Sequence, residues 1–185
     1  MSLWGNDIKP RNLTDAEKKE VFANTKGWVR EAGSILSGNG NTSADPEVLV
    51  AIGGLSPNMG SANITELEFI TTAFDKSDGG TLQVRARFNE PVTVTGTPQL
   101  TVVNDSRANH TLSYASGSTT NELVFSLTIG AANAATNAGD VLSIGTNAMA
   151  LNGGTIKDTG QSGTNATITN AASIGTAAGT ITVTA

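Results

Sequence analysis

Leu82-Gln83-Val84-Arg85-Ala86-Arg87-Phe88 alternates apolar and polar side chains without a break. Successive side chains of an extended chain point to opposite faces. The spacing therefore predicts a strand that buries Leu82, Val84, Ala86 and Phe88 and turns Gln83, Arg85 and Arg87 to solvent. The same period recurs in Leu67-Glu68-Phe69, Leu100-Thr101-Val102, Leu112-Ser113-Tyr114, Leu123 to Ile129 and the closing Thr180-Ile181-Thr182-Val183-Thr184. Between these runs stand turn formers: Asp78-Gly79-Gly80, Gly96-Thr97-Pro98, Asn104-Asp105, Ser116-Gly117-Ser118, Ala138-Gly139-Asp140 and Asn152-Gly153-Gly154. Short strands separated by turns at this spacing predict an all-β sandwich or barrel from Thr65 onward, with Phe88, Phe125 and Leu127 in its core.

Upstream the character changes. Before Thr65 six cations (Lys9, Arg11, Lys18, Lys19, Lys26, Arg30) stand against seven anions (Asp7, Asp15, Glu17, Glu20, Glu31, Asp45, Glu47), and both tryptophans are here. After it five cations face nine anions in a background of Thr, Ser, Asn, Gly, Ala and Val, the residues of short strands and tight turns. The expected division is an N-terminal arm or adaptor over residues 1–64 and a β-domain over 65–185. Thr14-Asp15-Ala16-Glu17 has the form of a capping box, which predicts one short helix from Asp15 to about Asn24. Only Ala16, Val21 and Phe22 are apolar there, so such a helix must pack on something else. Gly27-Trp28-Val29-Arg30 and Pro46 to Ile52 read as extended segments joined by the polar loop Ser37 to Ser43.

Composition excludes several functions. The chain has 185 residues, no cysteine and one histidine, His110. Disulfides, thiolate metal sites and a cysteine nucleophile therefore lack their residues, and a multi-histidine metal site would need a second copy of the chain. A formal net charge of −5 does not suit a surface that tracks phosphates, so nucleic acid is not an expected partner. The densest apolar run, Val48 to Ile52, stops at Gly53-Gly54, far short of a membrane-spanning helix, and no membrane partner is expected. The opening Met1 to Asp7 has neither a basic leader nor an apolar run, so synthesis in the cytosol is expected.

The run Phe88-Asn89-Glu90-Pro91-Val92-Thr93-Val94-Thr95-Gly96-Thr97-Pro98-Gln99-Leu100-Thr101-Val102 resembles the opening of the bacterial Ig-like repeats of large surface proteins. Tyr114 to Thr119, Leu123-Val124-Phe125, Gly139-Asp140 and Ala150 to Asp158 continue that resemblance in the same order. It implies an immunoglobulin-like antiparallel β-sandwich with an N-terminal arm containing one short helix, a scaffold used for adhesion, spacing and display. The leader Met1-Ser2-Leu3-Trp4-Gly5-Asn6, with Gly27-Trp28-Val29 and Glu47 to Ile52, resembles small virion proteins of marine tailed phages such as cyanophages. Together they imply a virion structural protein made in the host cytoplasm, a capsid decoration (cement) protein whose partners are the major capsid protein, other virion proteins or further copies of itself. The alternative is a host-surface or carbohydrate-binding fibre or adhesin module.

Candidate chemistry is sparse. His110 is expected as an exposed strand-start residue. Asp75-Lys76-Ser77-Asp78-Gly79-Gly80 carries alternating oxygens but lacks the distal Glu of an EF-hand, which leaves a hairpin loop. Glu66 and Glu68 share one strand face and are expected in solvent, and no carboxylate pair including Glu90 is placed for acid–base work. No enzyme activity, metal or cofactor is expected. Docking is assigned to Trp4, Ile8, Leu13 and Trp28 as apolar anchors, with Lys9 and Arg11 at the polar rim.

Overall fold

A computed structural model describes residues 21–24, 27–30, 47–51, 61–160 and 163–185. The chain divides into two compact units, Met1–Met59 and Gly60–Ala185. In the first, strands β1 (Val21–Asn24), β2 (Gly27–Arg30) and β3 (Glu47–Ala51) form an antiparallel sheet in the order β1-β2-β3. β2 and β3 fall on the two segments expected to be extended. Val21–Asn24, expected as the end of a helix, is a strand, and Asp15 to Glu20 lie outside the described residues. Its register explains the difference: Phe22 pairs with Val29, Ala23 with Trp28 and Asn24 with Gly27, and Gly27 supplies a φ of 126°. Val21 and Phe22 favour an extended chain, and a helix with so few apolar positions has little to carry it through these four residues.

The second unit is one curled open sheet, a half-barrel. Its strands are β4 (Ile64–Phe69), β5 (Phe74–Asp75), β6 (Gly80–Thr95), β7 (Gln99–Asn104), β8 (His110–Ser116), β9 (Thr120–Ile129), β10 (Val141–Ala150), β11 (Thr155–Asp158) and β12 (Thr180–Thr184). Hydrogen bonding runs β11-β6-β9-β8-β7-β10-β12-β5, with β4 also on β6. Among the described strands only the β12–β5 pair is parallel. The expected pair of facing sheets thus takes the form of a single continuous path among the described strands. The reason is β6: its 16 residues carry β9 along one edge and β4 followed by β11 along the other, with a register shift between Arg87 and Val92. Such shifts bend a strand and increase its twist, which curls a sheet around its own core.

The inner face follows the alternation. Leu82, Val84, Ala86 and Phe88 are buried with Leu123 and Phe125 of β9, Leu112 of β8, Leu100 and Val102 of β7, Leu142 and Ile144 of β10 and Ile181 and Val183 of β12. Leu127, expected in the core, is partly buried against it. A short helix, α1 (Ala172–Ala177), packs on both β10 and β4, which are not neighbours in the sheet. Gly175 allows that approach, since a Cβ there would lie 2.2 Å from the Ile144 carbonyl oxygen. Gly175→Ala is therefore expected to cost about 1–3 kcal/mol through overpacking, despite the better helix propensity of alanine. A urea midpoint equal to that of the parent protein would contradict this packing. Just before α1, Asn170 satisfies the irregular stretch of β10: its Oδ1 accepts from the Ala148 amide at 2.9 Å and its Nδ2 donates to the Gly145 carbonyl at 2.9 Å.

Candidate functional site

Three connections meet at one end of the half-barrel: residues 76–79 before β6, 105–109 between β7 and β8, and 130–140 between β9 and β10. Strand pairing brings them together, because Gly80 opposes Ile129, Asn104 opposes Leu142 and Phe74 opposes Val183. Asn104 is their buried hub. Its Nδ2 donates to Asp140 Oδ2 at 2.9 Å and to the Ala135 carbonyl at 3.3 Å, while its Oδ1 accepts from the amides of Ser106 at 3.0 Å and Arg107 at 3.1 Å. Asp140 Oδ2 also accepts from the Asn137 amide at 2.9 Å, and Arg107 Nε stands 3.5 Å from it. Arg107 Nη1 donates to the Ala134 carbonyl at 3.2 Å, and Lys76 Nζ donates to Asn137 Oδ1 at 2.7 Å.

Beneath these loops lies His110. Expected at the surface, it is 4% exposed, and its Nε2 is buried without a hydrogen-bond partner. The correction has a simple cause, since His110 has the same parity as the buried Leu112 and so faces inward at the head of β8. Burial pushes its pKa below the usual histidine value of 6.5, and the Asp140 carboxylate pulls weakly the other way.

The acidic candidates also move from their expected places. Arg87 is only 1% exposed, and its Nη1 and Nε hold Glu66 Oε2 at 2.9 Å and Glu122 Oε1 at 2.8 Å. Arg85 Nη2 holds Glu68 Oε2 at 2.8 Å. The pair expected in solvent, Glu66 and Glu68, instead faces two arginines across the β4–β6 ladder, where Glu66 opposes Arg87 and Glu68 opposes Arg85. Glu90 is buried as well. Asp158 accepts from the amides of Ala62 at 3.1 Å and Gly160 at 2.7 Å, whereas Asp140 serves the loop end, so the two aspartates serve different segments. Among the described residues no group of three or more His, Cys, Asp or Glu side chains is placed to hold a metal ion.

No family model matches the chain, and no curated protein or solved structure matches it either. Among the described residues no helix is long and apolar enough to cross a membrane. Of the expected docking residues, Trp4, Ile8, Lys9, Arg11 and Leu13 lie outside the described residues. Trp28 lies on the central strand of the first unit, opposite Ala23 and Val50, and at 6% exposure it is buried within the chain rather than projecting from it. Sequence reasoning missed the Asn104–Asp140 hub, reading Asn104-Asp105 only as a turn. The chemistry of that hub is that of loop fixation: amide and carboxylate groups hold three connections in one geometry.

Proposed function

We propose that the protein is a structural component of a tailed-phage virion, a capsid decoration protein that docks on the shell through its N-terminal region and displays the β-domain outward. The observation that carries this reading is the division into a small three-stranded unit and a separate β-domain whose buried polar hub is tied up in its own loops. The leader around Trp4 and the Ig-like run from Phe88 to Asp158 add the sequence support, and the Ig-like kinship of the half-barrel is part of the proposal. Display needs a rigid scaffold with anchored loops and a distinct attachment element, and both are supplied by a chain organised in this way.

Mass spectrometry of purified particles tests it. A copy number commensurate with the symmetric shell supports decoration, a number commensurate with a tail or fibre moves the protein there, and absence from particles overturns the virion assignment. Docking has its own test. A chain beginning near Thr14 retains the described strands of both units but should fail to rebind particles stripped of the protein. Trp4→Ala alone should weaken binding by about 2 kcal/mol or more if that ring is a hot spot. Equal binding by the truncated and full-length chains would remove the leader from the interface.

A further inference from the structure

We propose that the loop end of the half-barrel is an acid-released latch, in which a proton on His110 frees the connections 104–109 and 130–140 from each other. The geometry begins with a buried imidazole. His110 opposes Val102 on β7, and two residues further along β7 stands Asn104, the amide that ties both connections to Asp140. A neutral ring fits this place because a deprotonated Nε2 tolerates apolar surroundings at modest cost. A protonated ring carries a second N–H where the folded structure offers no acceptor, and places a positive charge out of water. The nearest relief is local, since residues 105–109 are exposed and opening them hydrates the ring without dismantling the core.

The surrounding charges set the strength of the effect. Asp140, at the head of β10, favours the imidazolium, but its carboxylate is already engaged by Asn104 and Asn137 and shared with Arg107. Arg107 opposes a second cation nearby. Lys76 reaches the same region from the connection before β6 through Asn137, and Asp105 is held by the Val141 amide at 2.9 Å. The Val141 amide keeps the Asp105 carboxyl below its usual range, and the Ser77 amide does the same for Asp75, so neither takes up a proton in the range where an exposed histidine does. With burial outweighing Asp140, the closed end binds its proton at lower pH than the open one. Closure is at full strength above about pH 6.5 and weakens as the pH falls from there toward the value of the closed state.

Because His110 is the only histidine, its imidazole gives a single set of NMR signals in the full-length protein. The expected midpoint lies below 6.5, and amide protection of residues 104–110 and 131–140 falls over the same range by at most about tenfold per pH unit, the limit for one proton. Protection of the β6–β9 core should hold through that range. In His110→Gln the pH dependence of the loop amides should vanish. Arg107→Gln leaves Asp140 freer to favour the imidazolium and should raise the midpoint. A midpoint at or above 6.5 in the parent protein, an unmoved or lowered midpoint in Arg107→Gln, or the same loss of protection in a folded His110→Gln overturns the proposal.

Discussion

Replacing Arg87 by alanine should destabilise the second unit by about 3 kcal/mol, although the residue lies on the sheet face opposite the core. The guanidinium is 1% exposed, and two of its nitrogens hold two carboxylates, Glu66 from β4 and Glu122 from β9. Removing it leaves both acids beside one position on β6 without that counter-charge and opens a gap the size of a long side chain. The figure sits at the lower end of the range for broken buried pairs, because Glu122 keeps 26% of its side-chain surface in water. Glu68, 3.5 Å from the same guanidinium, remains beside Arg85. Arg87→Met separates charge from packing, since it keeps most of the stem. Combining it with Glu66→Gln and Glu122→Gln should recover much of the loss, as neutral groups need no counter-ion. Urea unfolding checks all three. If Arg87→Ala unfolded at the parent midpoint, the burial of Arg87 would have no energetic meaning.

That cluster also marks the boundary of what the sequence makes legible. Alternation assigns Arg85 and Arg87 to one face of β6 and the core residues to the other, because facing is a local property of an extended chain. It says nothing of what lies alongside. Glu122 reaches Arg87 from 35 positions away and Glu66 from 21, through pairings that no short window contains. His110 was more accessible, since its place two residues before Leu112 already puts it on the apolar face of β8. The identity of the residue, usually exposed, concealed what its parity stated. In the first unit the helix expected to reach Asn24 does not include Val21–Asn24, because these residues pair with Gly27–Arg30, a partner that the local signal at Thr14 does not reveal. α1 carries no signal at all: Ala172–Ala177 has no side-chain cap, no acidic residue in its first turn and only Gly175 buried. It forms because a glycine there permits contact with the backbone of β10. Of the docking residues, Trp28 is legible as apolar and extended, but its central position in a three-stranded sheet depends on β3, some 20 residues downstream.

Phe125→Ala should be the most damaging single change in the core, at about 3–5 kcal/mol. Phe125 has no exposed surface, and its backbone lies between Val84 on β6 and Tyr114 on β8. Its ring meets that of Tyr114 edge to face, with centroids 6.2 Å apart at 72°, a geometry that adds about 0.5–1.5 kcal/mol beyond burial. The neighbours cannot easily move into the space left behind. Tyr114 is tethered by its hydroxyl, which accepts from the Ser118 amide at 2.8 Å, and Val84 and Leu123 are fixed by the β6–β9 ladder. A cavity that cannot collapse carries the upper part of the cost range, because its lining loses contacts and gains none. Domains of this size have a total stability of about 5–15 kcal/mol, so the variant should melt roughly 10–20 °C lower or fail to fold at growth temperature. Phe125→Leu keeps most of the volume, should lose less than about 1.5 kcal/mol, and guards against the alanine variant being unmeasurable. Comparable melting of the alanine variant and the parent protein, followed by far-UV circular dichroism, would mean that β9 does not line the core in the register that places Phe125 opposite Val84.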